Sequence, residues 1–365
     1  MSRKIAILAG DGIGPEIMKE ALRVLELLNH KRKLEISYLE GFIGGEAYSR
    51  FKSHFPERTK ALCQESDAIL LGSIGGPDHE RHLPKWANCE ANALLGLRKS
   101  FGFFANLRPT QFFPGLSALS PLKDRIINKG CNILIIRELL GDLYFGKHQT
   151  LEKNGQVVAV DECVYSEGQI RSIVKLAFSH AMLRHKKLTS IDKANVLDSS
   201  KLWRSIVEDE AKNYPEVSYS HMFVDNAAMQ LVLQPGQFDV ILCPNMFGDI
   251  LSDLAAVLPG SLGLMPSASL NKDRFGLYEP AGGSAPDIAG KGIANPIGQI
   301  LSAAMLLRHS FGLETEAILI EKSIKTCLEQ NILTGDLTPD KKGVSTAEFT
   351  DEVILRLKSL LSNRA

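Results

Sequence analysis

Phe238–Val257 reads FDVILCPNMFGDILSDLAAV. The short apolar run Val240–Cys243 is of strand length and composition. The residues after it carry apolar positions at helical spacing, so a buried strand is predicted to feed a helix. Asp249 and Asp253 stand four residues apart in that helix, and one helical turn stacks both carboxylates on a single face. Two hard oxygen ligands aimed at one spot suit Mg²⁺ or Mn²⁺. On an arbitrary amphipathic helix the same pair would be two solvated acids. Here Leu251, Leu254, Ala255 and Val257 leave little polar face, and like charges one turn apart repel unless a cation stands between them.

Similar strand-like runs recur at Lys4–Ala9, Ala68–Leu71 and Asn132–Ile136, and helical patterns alternate with them. That alternation predicts an α/β fold with a largely parallel sheet. Pro15–Leu28 and Gln169–His185 read as scaffold helices, each with one apolar stripe. Thr150–Ser166 differs in kind, because Asn154-Gly155 between strand-like residues is a hairpin signal. A lone hairpin is marginal in water, so this one is expected on its own domain or against another chain. Loops rich in Gly and Pro at 72–77, 114–121, 259–267 and 280–296 are expected as domain junctions or ligand rims.

The chain has 365 residues, 44% of them apolar and 23% charged, with 42 basic and 42 acidic side chains. That length suffices for two domains sharing a cleft. The balanced charge gives no overall field for nucleic acid or an anionic membrane, so an anionic substrate must be caught by local arginines. Six cysteines without metal-type spacing read as small buried side chains in a reducing compartment, which predicts a cytoplasmic location. Gly10 and Asp11 interrupt the first apolar stretch well short of a signal-peptide core, and no apolar run reaches the roughly 18 residues of a membrane span.

Several motifs bear on chemistry. GDGIGPE at Gly10–Glu16 follows a strand and opens a helix, but Pro15 holds the place of the third glycine, so a Rossmann fingerprint is rejected. A tight turn whose backbone approaches a ligand, or a purely structural turn, remains. GDLYFGK at Gly141–Lys147 is followed by His148 where a P-loop needs Ser or Thr. Tyr144 is read instead as a phenol beside Arg137. Arg98, Arg108 and Arg137 each lie in apolar surroundings. One such arginine is commonly a structural ion pair, whereas three beside a metal site favour a dicarboxylate substrate. Lys193 after a strand is a candidate base, with a surface lysine as the plain alternative. Asp225 is a third candidate oxygen ligand or a helix N-cap. His79 and His82 read as loop residues. In EPAGGSAPDIAGKGIANP, Glu279–Pro296, glycines admit close approach of a flat or phosphorylated ligand. Asp287 suits a ribose diol and would repel a 2′-phosphate, and no basic residue stands at 288 or 289, which favours NAD over NADP.

Taken together, GDGIGPE, LLGSIGGP, LRKS with ANLRP, RELLGDLYFG, DKANVL, FGDILSDLAAVLPGSLG and EPAGGSAPDIAGKGIANP resemble the isocitrate/isopropylmalate β-decarboxylating dehydrogenases, and most closely their isopropylmalate branch. The resemblance runs from Lys4 to about Glu348. It implies a non-Rossmann two-domain fold, with residues 1–103 and 260–365 forming the first, cofactor-binding domain. Residues 104–259 form the second, and the active site lies in the cleft. It also implies a homodimer with an intersubunit arm at about 148–167 and shared active sites.

Carried over by motif, Arg98, Arg108 and Arg137 hold substrate carboxylates, and Glu90 and Leu94 lie at the substrate. Asp249 and Asp253 meet the metal together with Asp225 of the other subunit, and Tyr144 and Lys193, aided by Asp225, are acid and base. Ile13, Gly76, Glu90, Asn195, Glu279, Gly283, Ser284, Ala285, Asp287, Ile288 and Asn295 are the implied NAD contacts. The chain departs from the family pattern at Gly282, where many relatives carry histidine, and in the spacing of Glu90 before Arg98. The implied activity is NAD- and divalent-metal-dependent oxidative decarboxylation of 3-isopropylmalate to 4-methyl-2-oxopentanoate in leucine biosynthesis.

Leu94 and Leu95 offer an apolar wall where isocitrate-acting relatives place Ser and Asn. Burying an unpaired carboxylate there costs several kcal/mol, of order 3, while an isopropyl group gains about 1–3 kcal/mol. Oxidation of D-malate or tartrate by the same machinery is the nearest alternative, and RELLGDLYFG argues against it. A non-catalytic NAD- or metal-binding regulatory paralogue is the alternative of another class, and the intact Tyr144, Lys193 and three aspartates argue against that.

Overall fold

A computed structural model describes residues 2–338, 340 and 342–362. Its strands are β1 (Arg3–Gly10), β2 (Ile36–Gly41), β3 (Ala68–Ser73), β4 (Ala105–Gln111), β5 (Asn132–Glu138), β6 (His148–Lys153), β7 (Gln156–Asp161), β8 (Lys187–Asp192), β9 (Ser218–Phe223), β10 (Val240–Cys243), β11 (Pro266–Leu270) and β12 (Gly276–Pro280). The chain divides into two compact units. Unit 1 comprises Met1–Gly102, Phe113–Ser120 and Pro259–Ala365, and unit 2 comprises Phe103–Phe112 and Pro121–Leu258.

In unit 1 the strands lie in the order β2-β1-β3-β12-β11. All pair in parallel except β11 with β12. Every residue of β3 is buried, as a parallel strand covered on both faces requires. Each fully buried Leu or Ile contributes about 1.5–3 kcal/mol. Helix Gly14–Arg32 packs on β1 and β3, and Ile297–His309 packs on β11 and β12. Between β1 and the first helix, Gly10 and Gly12 have φ of +73° and +57°. A Cβ on Gly12 would stand 2.0 Å from the Ser284 carbonyl oxygen, so glycine here permits the GDGIG turn to touch the 279–296 loop.

In unit 2 the order is β4-β5-β10-β8-β9, parallel except for β4 with β5. Ile133, Ile135, Ile191, Ile241 and Cys243 of the sheet pack with Leu251, Ala255 and Leu258. The last three include the inner face of helix Asn245–Val257, which follows β10 as the sequence pattern predicts. Asp249 and Asp253 are left on its solvent side. β6 and β7 form a separate two-stranded sheet. Its turn residues Asn154 and Gly155 have φ of +53° and +72°, the mirror-image turn that suits a hairpin, and Val157 on it is 80% exposed.

Several boundaries differ from the sequence reading. The second scaffold helix spans Glu167–Met182, because Ser166 and Gln169 form a reciprocal capping box two residues ahead of the expected start. Phe113–Ser120, expected with the middle of the chain, belongs to unit 1, where Gly115 sits so close to Leu328 that a Cβ would meet its carbonyl oxygen at 2.5 Å. Three of the Gly/Pro-rich loops contain short helical turns, at Pro114–Leu119, Leu262–Leu264 and Pro286–Ile288. The cysteines are all free and five are buried, but Cys163 is half-buried and donates to Asp142. No helix of the described residues is long and apolar enough to cross a membrane.

Candidate active site

Unit 2 gathers five of the expected residues into one cluster. Arg137, at the end of β5, is buried. Its Nε donates to Asn245 Oδ1 at 3.0 Å and its Nη1 to Asp249 Oδ1. Arg108, on the neighbouring strand β4, donates from Nη1 to Ser252 Oγ at 2.9 Å and to Asp253 Oδ1 at 2.5 Å, and its Nη2 lies 4.0 Å from Asp249. Antiparallel pairing places the two arginines two residues apart in register, Arg137 opposite Asn106 and Arg108 opposite Ile135. Tyr144 donates to Asp249 Oδ2 at 2.9 Å, and the Arg137 guanidinium stands 5.7 Å from its ring centre. The repulsion expected between the two acids is thus relieved by two guanidinium groups. Partial burial and the Asp249 carboxylate push the Tyr144 phenol up, so it keeps its proton at neutral pH.

Lys193 and Asp225 form a second cluster. Lys193 follows β8, and its Nζ donates to Asp225 Oδ1 at 2.5 Å. Asp225 does not act as the helix N-cap, since that place falls to Phe223 without a side-chain bond. The Lys193 ammonium holds its carboxyl below the usual range. Arg204 grips Asp192 with two nitrogens, and Asp192 accepts from Ala194 N, which fixes the backbone on both sides of Lys193. Asn195 is exposed in the adjoining turn.

The remaining residues lie in unit 1. Arg98 is buried and pairs with Glu279 at 3.1 Å, and its buried Nε has no partner among the described residues. The helix carrying Arg98 begins after a π-helical turn at Ala91–Leu95, which the sequence does not betray. Leu94 is half-buried, and Glu90 and Leu95 are exposed. Ile13 N donates to Ser284 O at 2.8 Å. Gly283 faces open space, Ala285 takes a left-handed φ of +39°, Asp287 is exposed beside half-buried Ile288, and Gly76 is half-buried. Asn295 accepts from Ile297 N and donates to Asp336, so its side chain is committed to the loop. A cavity of about 820 Å³ lies among Gly12, Met18, Leu22, Phe42 and Trp86, and Arg98, Arg108 and Arg137 are not in its lining.

Sequence reasoning missed four acids that organise these segments. Asp11 accepts from Gly45, Glu46 and Gly75 N, and burial pushes its carboxyl up. Glu16 accepts from Gly292 N, Ala294 N and Thr346 Oγ1, which anchors the 279–296 loop. Glu138 accepts from Leu140 and Gly141 N, and burial pushes it up to about 7. Asp142 accepts from Leu143 and Met246 N. The first two belong to GDGIGPE and the last two to RELLGDLYFG; Glu138 bonds within three residues, whereas Asp11, Glu16 and Asp142 reach partners distant in sequence.

As a test of whether a divalent cation fits, Asp249 and Asp253 offer hard oxygens one turn apart on a partly solvated helix face. Mg²⁺ commonly uses one or two carboxylates and completes its shell with water and substrate oxygens. Among the described residues no three His, Cys, Asp or Glu side chains are gathered as a metal-holding group, so the donor set of this chain is a pair. For a dinucleotide, the open backbone around Gly282 and Gly283 fits close approach.

The isocitrate/isopropylmalate dehydrogenase family model matches residues 4–353, and the chain belongs to that family. It is 52% identical to the 3-isopropylmalate dehydrogenase of Vibrio parahaemolyticus, covering 96% of this chain and 97% of the relative. To that of Syntrophotalea carbinolica it is also 52% identical, covering 97% and 98%. Among solved structures, an isocitrate dehydrogenase from Methylococcus capsulatus matches with a TM-score of 0.84 at 32% identity, covering 98% of this chain and 99% of that one. A β-decarboxylating dehydrogenase from Thermococcus kodakarensis matches with a TM-score of 0.79 at 35% identity, covering 99% and 97%.

Proposed function

We propose that the chain catalyses NAD-dependent oxidative decarboxylation of 3-isopropylmalate to 4-methyl-2-oxopentanoate, a step of leucine biosynthesis. The observation that carries the reading is the grouping of Arg108, Arg137, Tyr144, Asp249 and Asp253 in unit 2. Two arginine forks there are suited to carboxylates, two acids to a hard cation, and a protonated phenol to proton delivery.

Arg108, Arg137 and Arg98 exchange their present acidic partners for the substrate carboxylates. Lys193, as the free amine left when its ammonium proton passes to Asp225 across their short hydrogen bond, takes the C2 hydroxyl proton as the 2-keto acid forms. Tyr144 gives its proton to the carbon left by CO₂, turning the enolate into the ketone product. Asp249 and Asp253 would hold Mg²⁺ or Mn²⁺, which would supply Lewis-acid polarisation of the ketone oxygen, and bound NAD would supply the hydride acceptor. The 279–296 loop with Asp287 is the cofactor segment, together with Ile13, Gly76, Glu90 and Asn195.

The homodimer belongs to the same proposal. Met229, Val232 and Leu233 on helix Val224–Leu233, with Ile250 and Val257 on Asn245–Val257, form exposed apolar positions on two helices that pack together. A second copy covering them would also bring its Asp225 to this chain's Asp249 and Asp253. The hairpin β6–β7 with exposed Val157 would be covered as a clasped arm.

The test follows NADH formation with 3-isopropylmalate, isocitrate, D-malate and tartrate, each with and without chelator. Chelator-sensitive turnover favouring 3-isopropylmalate is expected. Equal or better turnover of isocitrate would refute the leucine-wall argument.

A further inference from the structure

Asp142 has an unusual position for a residue with a side chain. It sits at φ +73° in the turn between β5 and Tyr144, a conformation that glycine adopts freely and most L residues avoid. Asp142 N donates to Val164 O at 3.0 Å, and its own carbonyl accepts from Gly146 N at 3.2 Å. The carboxylate is 5% exposed. One of its oxygens accepts from Leu143 N at 2.8 Å and Cys163 Sγ at 3.2 Å. The other accepts from Met246 N at 3.1 Å and Tyr165 OH at 3.3 Å.

These partners join three separately coded segments. Leu143 precedes Tyr144, and Met246 opens the helix that carries Asp249 and Asp253. Tyr165 OH also accepts from Asn245 N at 2.8 Å, and the Asn245 side chain bridges Gly141 O and Arg137 Nε. A carboxylate at the first turn of that helix is further favoured by the helix dipole. The Tyr144 side chain is itself 42% exposed, so its direction depends on the loop beneath it and on the Asp249 bond.

We infer that Asp142 is a positioning residue for proton delivery, riveting the Tyr144 loop to the N-terminus of helix Asn245–Val257 so that the phenol stays in register with Asp249. This rests on the reading of Tyr144 as the proton donor. Removal of the carboxylate leaves Tyr144 chemically intact but free to swing, and misplacement by about 1 Å can lower a catalytic rate on the order of 100-fold.

The experiment compares wild type, Asp142→Gly, Asp142→Asn, Tyr144→Phe and the Asp142→Gly/Tyr144→Phe double variant in full-length protein with substrate, cation and cofactor. Glycine accepts the backbone conformation, while asparagine also tolerates it and keeps one acceptor oxygen. Asp142→Gly is expected to lower kcat about 10- to 100-fold with KM within about threefold, and Asp142→Asn to recover part of the loss. In the Tyr144→Phe background the added glycine should change kcat less than about twofold, since coupled residues do not add.

A fully active Asp142→Gly variant overturns the inference. So does an equal loss in both backgrounds, which assigns Asp142 to the fold or to substrate binding while leaving Tyr144 as the donor. Unchanged kcat in Tyr144→Phe alone instead removes the donor assignment, and the inference with it.

Discussion

Replacing Arg137 by lysine keeps the charge and removes the fork, which makes it a sharp probe of carboxylate recognition. The guanidinium addresses Asn245 through Nε and the acid-facing side of the cluster through Nη1. A lysine ammonium reaches one of these directions at a time. Asn245 is 1% exposed, and an acceptor left unsatisfied at such a site costs about 1–3 kcal/mol of folding stability. Loss of one charge-assisted bond to a substrate carboxylate costs a further 1.5–3 kcal/mol or so in binding. At 1.36 kcal/mol per decade, that second figure is roughly a 10- to 150-fold rise in KM. Initial rates of NADH formation across a 3-isopropylmalate series give KM and kcat, and thermal melting gives the stability change. A KM within twofold of wild type, in a protein of undiminished melting temperature, would show that the fork of Arg137 holds neither substrate nor Asn245.

Tyr144→Phe removes the phenolic proton without changing the ring, so kcat should fall about 10²- to 10⁴-fold while substrate binding measured by fluorescence or calorimetry changes little; a matching loss of affinity would instead assign the hydroxyl to binding. Glu138→Gln tests the buried acid on β5. Because its folded carboxyl is raised from 4.5 to about 7, its contribution is full below pH 4.5 and is lost as pH rises through 7, by about 3 kcal/mol. Urea denaturation at pH 5 and pH 8 should therefore show wild type losing more stability than the variant over that interval, and parallel losses would contradict the assignment. Lys193→Met and Asp253→Asn, each inactive alone, should recover about a quarter of wild-type activity when mixed and allowed to exchange subunits, as random pairing of two-fold shared sites requires. No recovery despite demonstrated exchange would count against contributions from two chains.

The strands were legible because their burial makes them continuous apolar runs. Ala68–Leu71 and Val240–Cys243 could scarcely be anything else, and their recurrence between helical patterns predicts the parallel sheets. The i,i+4 spacing of Asp249 and Asp253 likewise follows from sequence, since a helix fixes which side chains share a face. Less legible was which acid each arginine meets. Arg98 meets Glu279 across 181 positions of chain, and no local pattern encodes that partner. Asp142 was hidden for a related reason: in sequence it is one polar residue in a turn, and its hydrogen bonds reach Cys163, Tyr165 and Met246. The π-turn at Ala91–Leu95 was missed because an added backbone residue in one turn leaves composition unchanged.

The mutual neutralisation of Arg108 with Asp253 and of Arg137 with Asp249 has a thermodynamic consequence. A dianion entering by itself would draw off the guanidinium groups and strand two carboxylates close together. A divalent cation entering by itself would do the reverse and strand two positive charges. Arrival of both leaves every charge compensated, so the affinity of each should climb in the presence of the other by the same factor, as reciprocal linkage demands. The acids and arginines of unit 2 would in this way select the substrate already partnered with its counterion.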